Sequence, residues 1–384
     1  MTIKVGLIGI TGYSSVHFGL LQPLIEKGVV DLVSCVVINP EQAAEKMDIL
    51  KKMGVKIYPS TAAMFEEQSG KLDLVCIPTG IAWHERMTVE ALKNGANVLV
   101  EKPVTSSNES VARMIKAEQE ANGKFVAVGF QHTYARDIQF IKQYLVSGRL
   151  GKVRHVVCTG VWPRGDSYYA RNNWAGKLYT ADGVPIWDSP INNAFAHYLN
   201  IELFLSGDEF DKSAHAVAVE GYLYRARPEI ETFDTCALRF TTDSGVRIET
   251  MLTHASDIPT SVKIRLECEN GTVTWDATGS WQITAGDGTI LYSGLSEQQP
   301  QPDMFMDVIR KIKGKQVFCC PLAVAAEHAN CIDMMTRQIT PVEVKEDLTR
   351  TSENGQYVMN NINQVFEDCA SSGKLPAELG VFWK

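Results

Sequence analysis

The chain has no cluster of lysine and arginine, no apolar stretch of membrane-spanning length and no cysteine pair at metal-binding spacing. The first absence argues against nucleic acid as a partner, because a phosphate-backbone footprint needs clustered cations and the formal net charge is -8. The second leaves no candidate for a transmembrane helix, which needs about 20 apolar residues in succession, so no membrane partner is expected. The nine cysteines are scattered, only Cys319 and Cys320 adjoin, and no C-x-x-C pair occurs. That spacing argues against a zinc site or a disulfide framework, and no metal is expected. Cys35, Cys76, Cys158, Cys236 and Cys268 lie in apolar runs and read as small buried hydrophobes. No basic region or small-residue cleavage site accompanies the first apolar run, Ile3 to Ile8, so no signal peptide is read and a reducing cytoplasm is the expected location. Internal repeats and low-complexity tracts are lacking too.

What the chain has is 384 residues, 45% of them hydrophobic and 21% charged, an ordinary balance for globular cores. At roughly 150 residues per domain, two or three domains are expected. In the first 130 residues, KVGLIGI, LVSCVVI, LDLVCIP, NVLVEKP and FVAVGF read as strands separated by helical segments, the later ones over 41–53 and 108–121. Short apolar runs suit buried parallel strands, and such βαβ alternation requires a parallel sheet covered on both faces. After a linking helix over 134–147 the texture changes. KVRHVVCTGVW is a long strand, residues 165–190 form a polar aromatic loop, and a helix over 191–205 closes at Gly207. AHAVAVEGYLY, DTCALRFTT, VRIETMLTH, VKIRLECE and GTVTWD follow, divided by turn signals such as TDSG and ENGT, in the pattern of an antiparallel meander. Helices over 304–313 and 323–335 precede a polar extension carrying one more helix, over 354–369.

The stretch GLIGITGYSS, Gly6 to Ser15, sits between the first strand and the first helix, the context that a dinucleotide-binding G-x-G-x-x-G turn requires. Gly9 takes the first glycine position, Thr11 the second and Ser14 the third. Ser14 is small enough for helix–strand packing. Thr11 narrows the approach to a pyrophosphate, and Gly12 beside it relocates the flexible point; Tyr13 completes the turn. The helix N-terminus still offers amides and the positive dipole end to phosphate. The turn also resembles that of semialdehyde dehydrogenases, whose chemistry needs an activated cysteine that no persuasive strand-end turn here supplies. At the end of the second strand Asn39 stands where an acid would accept the ribose hydroxyls of NAD, and no Arg follows it, so NAD is preferred over NADP.

VLVEKPVTSS, Val98 to Ser107, resembles the E-K-P motif at the end of the fifth strand in the glucose–fructose oxidoreductase / inositol dehydrogenase (Gfo/Idh/MocA) family. The resemblance extends to GFQHTYARDIQFIKQYLVSGRLGKV from Gly129, to CIPTGIAWH from Cys76, and to NNAFAHYLNIELFLSG from Asn192. It covers about residues 3–336. It implies a Rossmann NAD(P)-binding domain over 1–130 and an α+β domain built on a large open antiparallel sheet over 131–338, with 339–384 as an extension outside the pattern. It implies that Lys102, aimed by Pro103, reaches the nicotinamide ribose and the reacting hydroxyl, and that His197 is the catalytic base. Glu101, Pro78, Thr79 and His84 are implied at the cofactor edge. Asn193 and Asn200 replace the acids that flank the family's histidine, so either His197 works without a carboxylate or Asp188 supplies one from the loop.

The loop WPRGDSYYARNNWAGKL, Trp162 to Leu178, mixes aromatic faces with planar polar groups, as a sugar site does. Arg164, Tyr169, Arg171, Asn172 and Trp174, together with Asp188, Asn193 and His197, are the candidate substrate contacts. The expected protein is an NAD(P)-dependent oxidoreductase acting on a secondary hydroxyl or ketone of a sugar, polyol or glycoside. A glycoside-cleaving relative that uses transient oxidation and a non-catalytic cofactor-binding sensor or scaffold are the alternatives. An uncovered sheet face needs burial, so a homodimer or homotetramer through the second sheet is expected.

Overall fold

The computed structural model describes residues 2–384. The chain forms two compact units, one from Met1–Tyr134 with Gln299–Ala326, the other from Ala135–Gln298 with Glu327–Lys384. In the first, β1 (Ile3–Ile8) leads into α1 (Ser14–Glu26), β2 (Val30–Val36) into α2 (Ala44–Lys52), and β3 (Lys56–Tyr58) into α3 (Thr61–Gln68). Then β4 (Leu74–Ile77) leads into α4 (Ile81–Lys93) and β5 (Asn97–Val100) into α5 (Asn108–Gln119), before β6 (Val126–Val128). The six strands run parallel in the order β3-β2-β1-β4-β5-β6. Every residue of β4 and β5 is buried, which is why those segments read as unbroken apolar runs. The strand order reverses between β1 and β4, so the crevice at their carboxyl ends is the ligand position of a doubly wound sheet.

The second unit holds α6 (Arg136–Val146), β7 (Val153–Val161), the short α7 (Asp166–Tyr169) and α8 (Ala196–Ser206). The strands β8 (Ala216–Arg225), β9 (Thr235–Thr242), β10 (Arg247–Thr253), β11 (Thr260–Cys268), β12 (Gly271–Asp276), β13 (Ser280–Ala285) and β14 (Ile290–Leu295) follow. Helix α9 (Gln301–Ile312) belongs to the first unit, and α10 (Leu322–Gln338) starts there and ends in the second. The tail adds β15 (Val342–Glu343), β16 (Thr349–Thr351), β17 (Tyr357–Met359) and α11 (Ile362–Ser372). The sheet order is β14-β13-β12-β11-β7-β10-β9-β8-β15. This is a mixed, mostly antiparallel sheet rather than a plain meander: β7 inserts between β11 and β10 and runs parallel to β10. Alternation along a strand sets which side chains face the core, not which distant strand becomes its neighbour.

Helix α8 packs on β7 and β10, and from Tyr198 to Ser206 all its residues are buried. Lys142 of α6 closes its C-terminal end, donating to the carbonyls of Phe204, Gly207 and Lys212 at 2.6, 2.7 and 3.0 Å. The expectation of a bare sheet face is corrected. The tail lies on β7–β10, where Val157, Val161, Tyr224, Ala237 and Met251 form one buried cluster with Met359, Ile362, Val365, Phe366, Cys369 and Trp383. Arg239 fastens it, donating to the buried Glu249 at 2.8 Å and to Glu378 of the tail at 2.7 Å. Beyond α11 the same face turns polar: Lys263, Arg265 and Thr274 line a groove of about 350 Å³. Residues 340–384, polar in average composition, therefore carry a real core. Phe366 is 1% exposed, and we expect Phe366→Ala to lower stability by about 3–5 kcal/mol in urea unfolding followed by tryptophan fluorescence; a loss within the noise of the method would show that the tail does not stabilise the unit.

Candidate active site

The dinucleotide turn follows from one close packing. Gly9 has φ +91°, and a Cβ there would lie 2.5 Å from Ser14 Oγ. Ser14 is buried, its Oγ 3.2 Å from the carbonyls of Ile8 and Pro78, so it knits α1 to the ends of β1 and β4. Helix α1 has no acidic residue in its first turn and no side-chain cap. The positive end of the helix is thus left without a compensating acid, and the cradle fits a dinucleotide pyrophosphate. Thr11, Gly12 and Tyr13 are exposed at its rim, as is Asn39 beyond β2. Lys46 of α2 folds back to the turn and donates to the Ile10 carbonyl at 3.0 Å.

At the end of β5, Glu101 is only 4% exposed. One oxygen accepts from the Lys102 amide at 3.1 Å and the other lies 2.9 Å from His17 Nε2 on α1. Gly129 must be glycine here, because a Cβ would meet the Glu101 carboxylate at 2.7 Å. His84 pins the same turn from α4: its ring nitrogens lie 2.9 Å from the Pro103 carbonyl and 3.0 Å from that of Thr79, and burial lowers its pKa. The Lys102–Pro103 peptide is cis. His132, after β6, is pushed down to about 4 by burial and by the Lys102 ammonium, so it is neutral at pH 7.

In the second unit Asp188 organises the loop. It is 3% exposed and accepts from Gly176 N at 2.7 Å, Arg171 Nη2 at 3.1 Å and Asn193 Nδ2 at 2.6 Å. Trp187 before it has φ +49°, a strained conformation for a bulky residue, held by this network. Arg171 also stacks on Tyr168, 3.8 Å from the ring centroid, and lies 5.1 Å from Trp174. Asn172 accepts from the Trp174 amide, and Tyr169 packs under Arg227, so both serve the loop's own shape. Arg164 lies over Tyr168 and Trp162, at 4.8 and 6.0 Å. His197 is the second residue of α8 and half-buried. The helix was expected from residue 191, but 191–195 form turns, with Asn192 donating to the carbonyls of Ile186 and Trp187. Side chains of this kind compete with helical hydrogen bonding. Asn193 therefore precedes the helix instead of sharing a helical face with His197. Asn200 is fully buried.

The structure thus gathers Gly9, Ser14 and Pro78 at the turn between β1 and α1, Thr79, His84, Glu101 and Lys102 at the lysine turn, and Arg164, Arg171, Trp174, Asp188 and Asn193 around one loop. Residues the sequence reading missed are His17 and Lys46 in the first unit and Trp162 and His254 in the second. His254 Nδ1 lies 2.8 Å from the Trp162 carbonyl, and its ring stacks on Phe195 at 5.3 Å. Burial, with Arg164 and Arg171 nearby, pushes His254 down to about 3. In sequence His17, Lys46 and His254 stood alone inside apolar or helical runs with no motif to mark them, while Trp162 opened the marked loop without being singled out.

A doubly wound nucleotide-binding unit with a lysine turn one strand from its switch point, joined to a nine-stranded α+β unit, defines the class. A family model described as an oxidoreductase family with an NAD-binding Rossmann fold matches residues 3–130, and one for the GFO/IDH/MocA C-terminal domain matches residues 138–274. The chain belongs to the GFO/IDH/MocA family. An inositol 2-dehydrogenase of Burkholderia cenocepacia is 25% identical over 259 residues, 65% of this chain and 66% of its own length. One from Pseudomonas fluorescens is 26% identical over 211 residues, 55% of this chain and 56% of its own. The matches span two thirds or less of these relatives. Among solved structures, the WlbA dehydrogenase of Bordetella pertussis in complex with NADH and UDP-GlcNAcA shares the fold at 22% identity and TM-score 0.70, over 88% of this chain and 96% of that one. Levoglucosan dehydrogenase in complex with NADH does so at 15% identity and TM-score 0.72, with the same coverage.

Because a Cβ at residue 129 displaces Glu101, Gly129→Ala should destabilise the first unit by about 1–3 kcal/mol and weaken NADH binding. Thermal unfolding and NADH fluorescence titration read the two effects; wild-type values in both would show that the close approach of Gly129 to Glu101 is unimportant.

Proposed function

We propose that the chain is an NAD-dependent dehydrogenase that interconverts a secondary hydroxyl and a ketone on a sugar, polyol or related carbohydrate. The observation that carries this is the lysine turn: Glu101 and His84 hold Lys102 at the carboxyl end of β5, next to the switch-point crevice. Bound NAD would supply the hydride acceptor, seated with its pyrophosphate at the Gly9–Ser14 turn. In this reading His197 takes the proton from the substrate hydroxyl. Lys102 stabilises the developing charge on the same oxygen and orients the alcohol. Aromatic and amide groups of the 162–178 loop hold the rest of the carbohydrate.

Lys102→Ala and His197→Ala should each lower kcat/KM by about 10²–10⁴, with folding and NADH binding retained. Because both groups act on one oxygen, the double variant should lose little more than the worse single one. Hydride transfer to NAD, read as nicotinamide absorbance across a panel of polyols and sugars, measures this. Fully multiplicative losses would mean that the two groups act on different atoms. NADH binding with no turnover on any carbohydrate would favour the sensor reading.

The cofactor reading is NAD first, with NADP accepted more weakly. Asn39 does not repel a 2′-phosphate, and Lys46 beside the turn offers it one cation. Lys46→Ala should therefore weaken NADPH binding by about fivefold or more while leaving NADH nearly unchanged, as one exposed charge contact allows. Equal losses for both cofactors would assign Lys46 a purely structural role. Self-association as a homodimer or homotetramer belongs to the same reading, and light scattering that returns the mass of a single chain would remove it.

A further inference from the structure

Cations in the substrate loop region of the second unit are matched to acids with one exception. Arg171 pairs with Asp188 at 3.1 Å, Lys177 with Glu231 at 2.7 Å and Arg227 with Asp166 at 2.8 Å. Arg164 has no carboxylate within ion-pair distance among the described residues, and its Nε is buried without a hydrogen-bond acceptor. It is half-buried, so bulk water does not fully replace the missing partner.

The guanidinium is nevertheless fixed in place. It lies 4.8 Å from the Tyr168 ring centroid and 6.0 Å from that of Trp162, while its backbone amide donates to the His254 carbonyl at 3.2 Å. Trp162 in turn stacks at 4.4 Å on Phe195, the residue that opens α8 two positions before His197. Arg164 is thus tied by aromatic contacts to the start of the helix that carries the proposed base. The neighbouring acids are engaged elsewhere: Asp188 is already shared among Arg171, Asn193 and Gly176, and Asp166 is committed to Arg227. A preorganised guanidinium, held by aromatic faces and left without a counter-charge, is built for a carboxylate or phosphate.

We propose that the substrate carries an oxyanion and that Arg164 binds it; the substrate class is a sugar acid or a sugar phosphate rather than a neutral polyol. This rests on reading the loop as the carbohydrate site. The test is calorimetric titration of the NADH-loaded full chain with D-glucuronate, D-glucose 6-phosphate and D-glucose. At least one of the two acids should bind about tenfold or more tightly than D-glucose, in line with a charged hydrogen bond; the one that does identifies the oxyanion as carboxylate or phosphate. Arg164→Gln should weaken that acid by about ten- to a hundredfold and leave D-glucose within about twofold, while Arg164→Lys should restore part of the loss. Added salt should weaken the acid and spare D-glucose. Thermal unfolding of each variant checks that the fold is kept. Acids that bind no better than D-glucose, or an Arg164→Gln variant with wild-type affinity for the acid, overturn the proposal. NADH titration separates the two readings: no NADH binding counts against the dehydrogenase, whereas NADH binding without a preference for acids counts against Arg164 alone.

Discussion

A carboxylate taken out of water has to be met by donors, and in the first unit that demand falls on Glu101. Stranded in the interior it would carry a penalty of several kcal/mol; here the Lys102 amide and the His17 ring meet its two oxygens. The consequence is mechanical. His17 belongs to α1, the helix whose first turn faces the pyrophosphate cradle, and Lys102 belongs to the turn after β5. Moving either element strips a partner from a buried charge, so the start of α1 and the turn after β5 are set against each other as one rigid frame. Gly129 completes the frame by leaving room for the carboxylate where any Cβ would displace it.

The second unit solves a different problem, a wide sheet with two faces to cover. One face takes α6 and α8; the other is apolar on β7–β10 and polar on β11. The division follows the tail: Phe366, Cys369 and Trp383 sit over the apolar part, while Lys263 and Arg265 occupy the part beyond it. The tail's ion pair to Arg239 fixes where it lies, and burial of its aromatic and aliphatic groups supplies the stabilisation. A sheet finished in this way does not need another chain to cover its apolar half.

Much of this was legible in the sequence because it is local. β4 and β5 are short, wholly buried and flanked by turn residues, so LVCI and NVLV announce themselves, and the E-K-P motif falls directly after β5. What escaped is set by contacts distant along the chain. Nothing in KVRHVVCTGVW states that it will lie parallel to β10, since its alternation is the same in either orientation. His17 reads as one polar residue in an amphipathic helix until Glu101, 84 positions away, is placed against it. The tail reads as polar on average, yet its few large apolar residues are spaced to meet a sheet whose strands are more than 100 residues upstream. Likewise the helix start at residue 196 was hidden because Asn192 finds carbonyls in the preceding loop that periodicity does not register.

The replacement of an acid by Asn193 need not disable the site, and the reason is geometric. Asp188 is an acceptor to the backbone of Gly176 and to Arg171, and a carboxylate beside an amide side chain accepts from the NH₂ group. That contact at 2.6 Å fixes the sense of the Asn193 amide: the nitrogen faces Asp188 and the oxygen points the other way. An oriented amide oxygen carries partial negative charge and accepts a hydrogen bond, as a carboxylate oxygen does, but adds no full charge. The full charge has moved five residues upstream, where Arg171 neutralises it. With the acid relocated and paired to Arg171, Arg164 is the loop cation left without a carboxylate partner among the described residues.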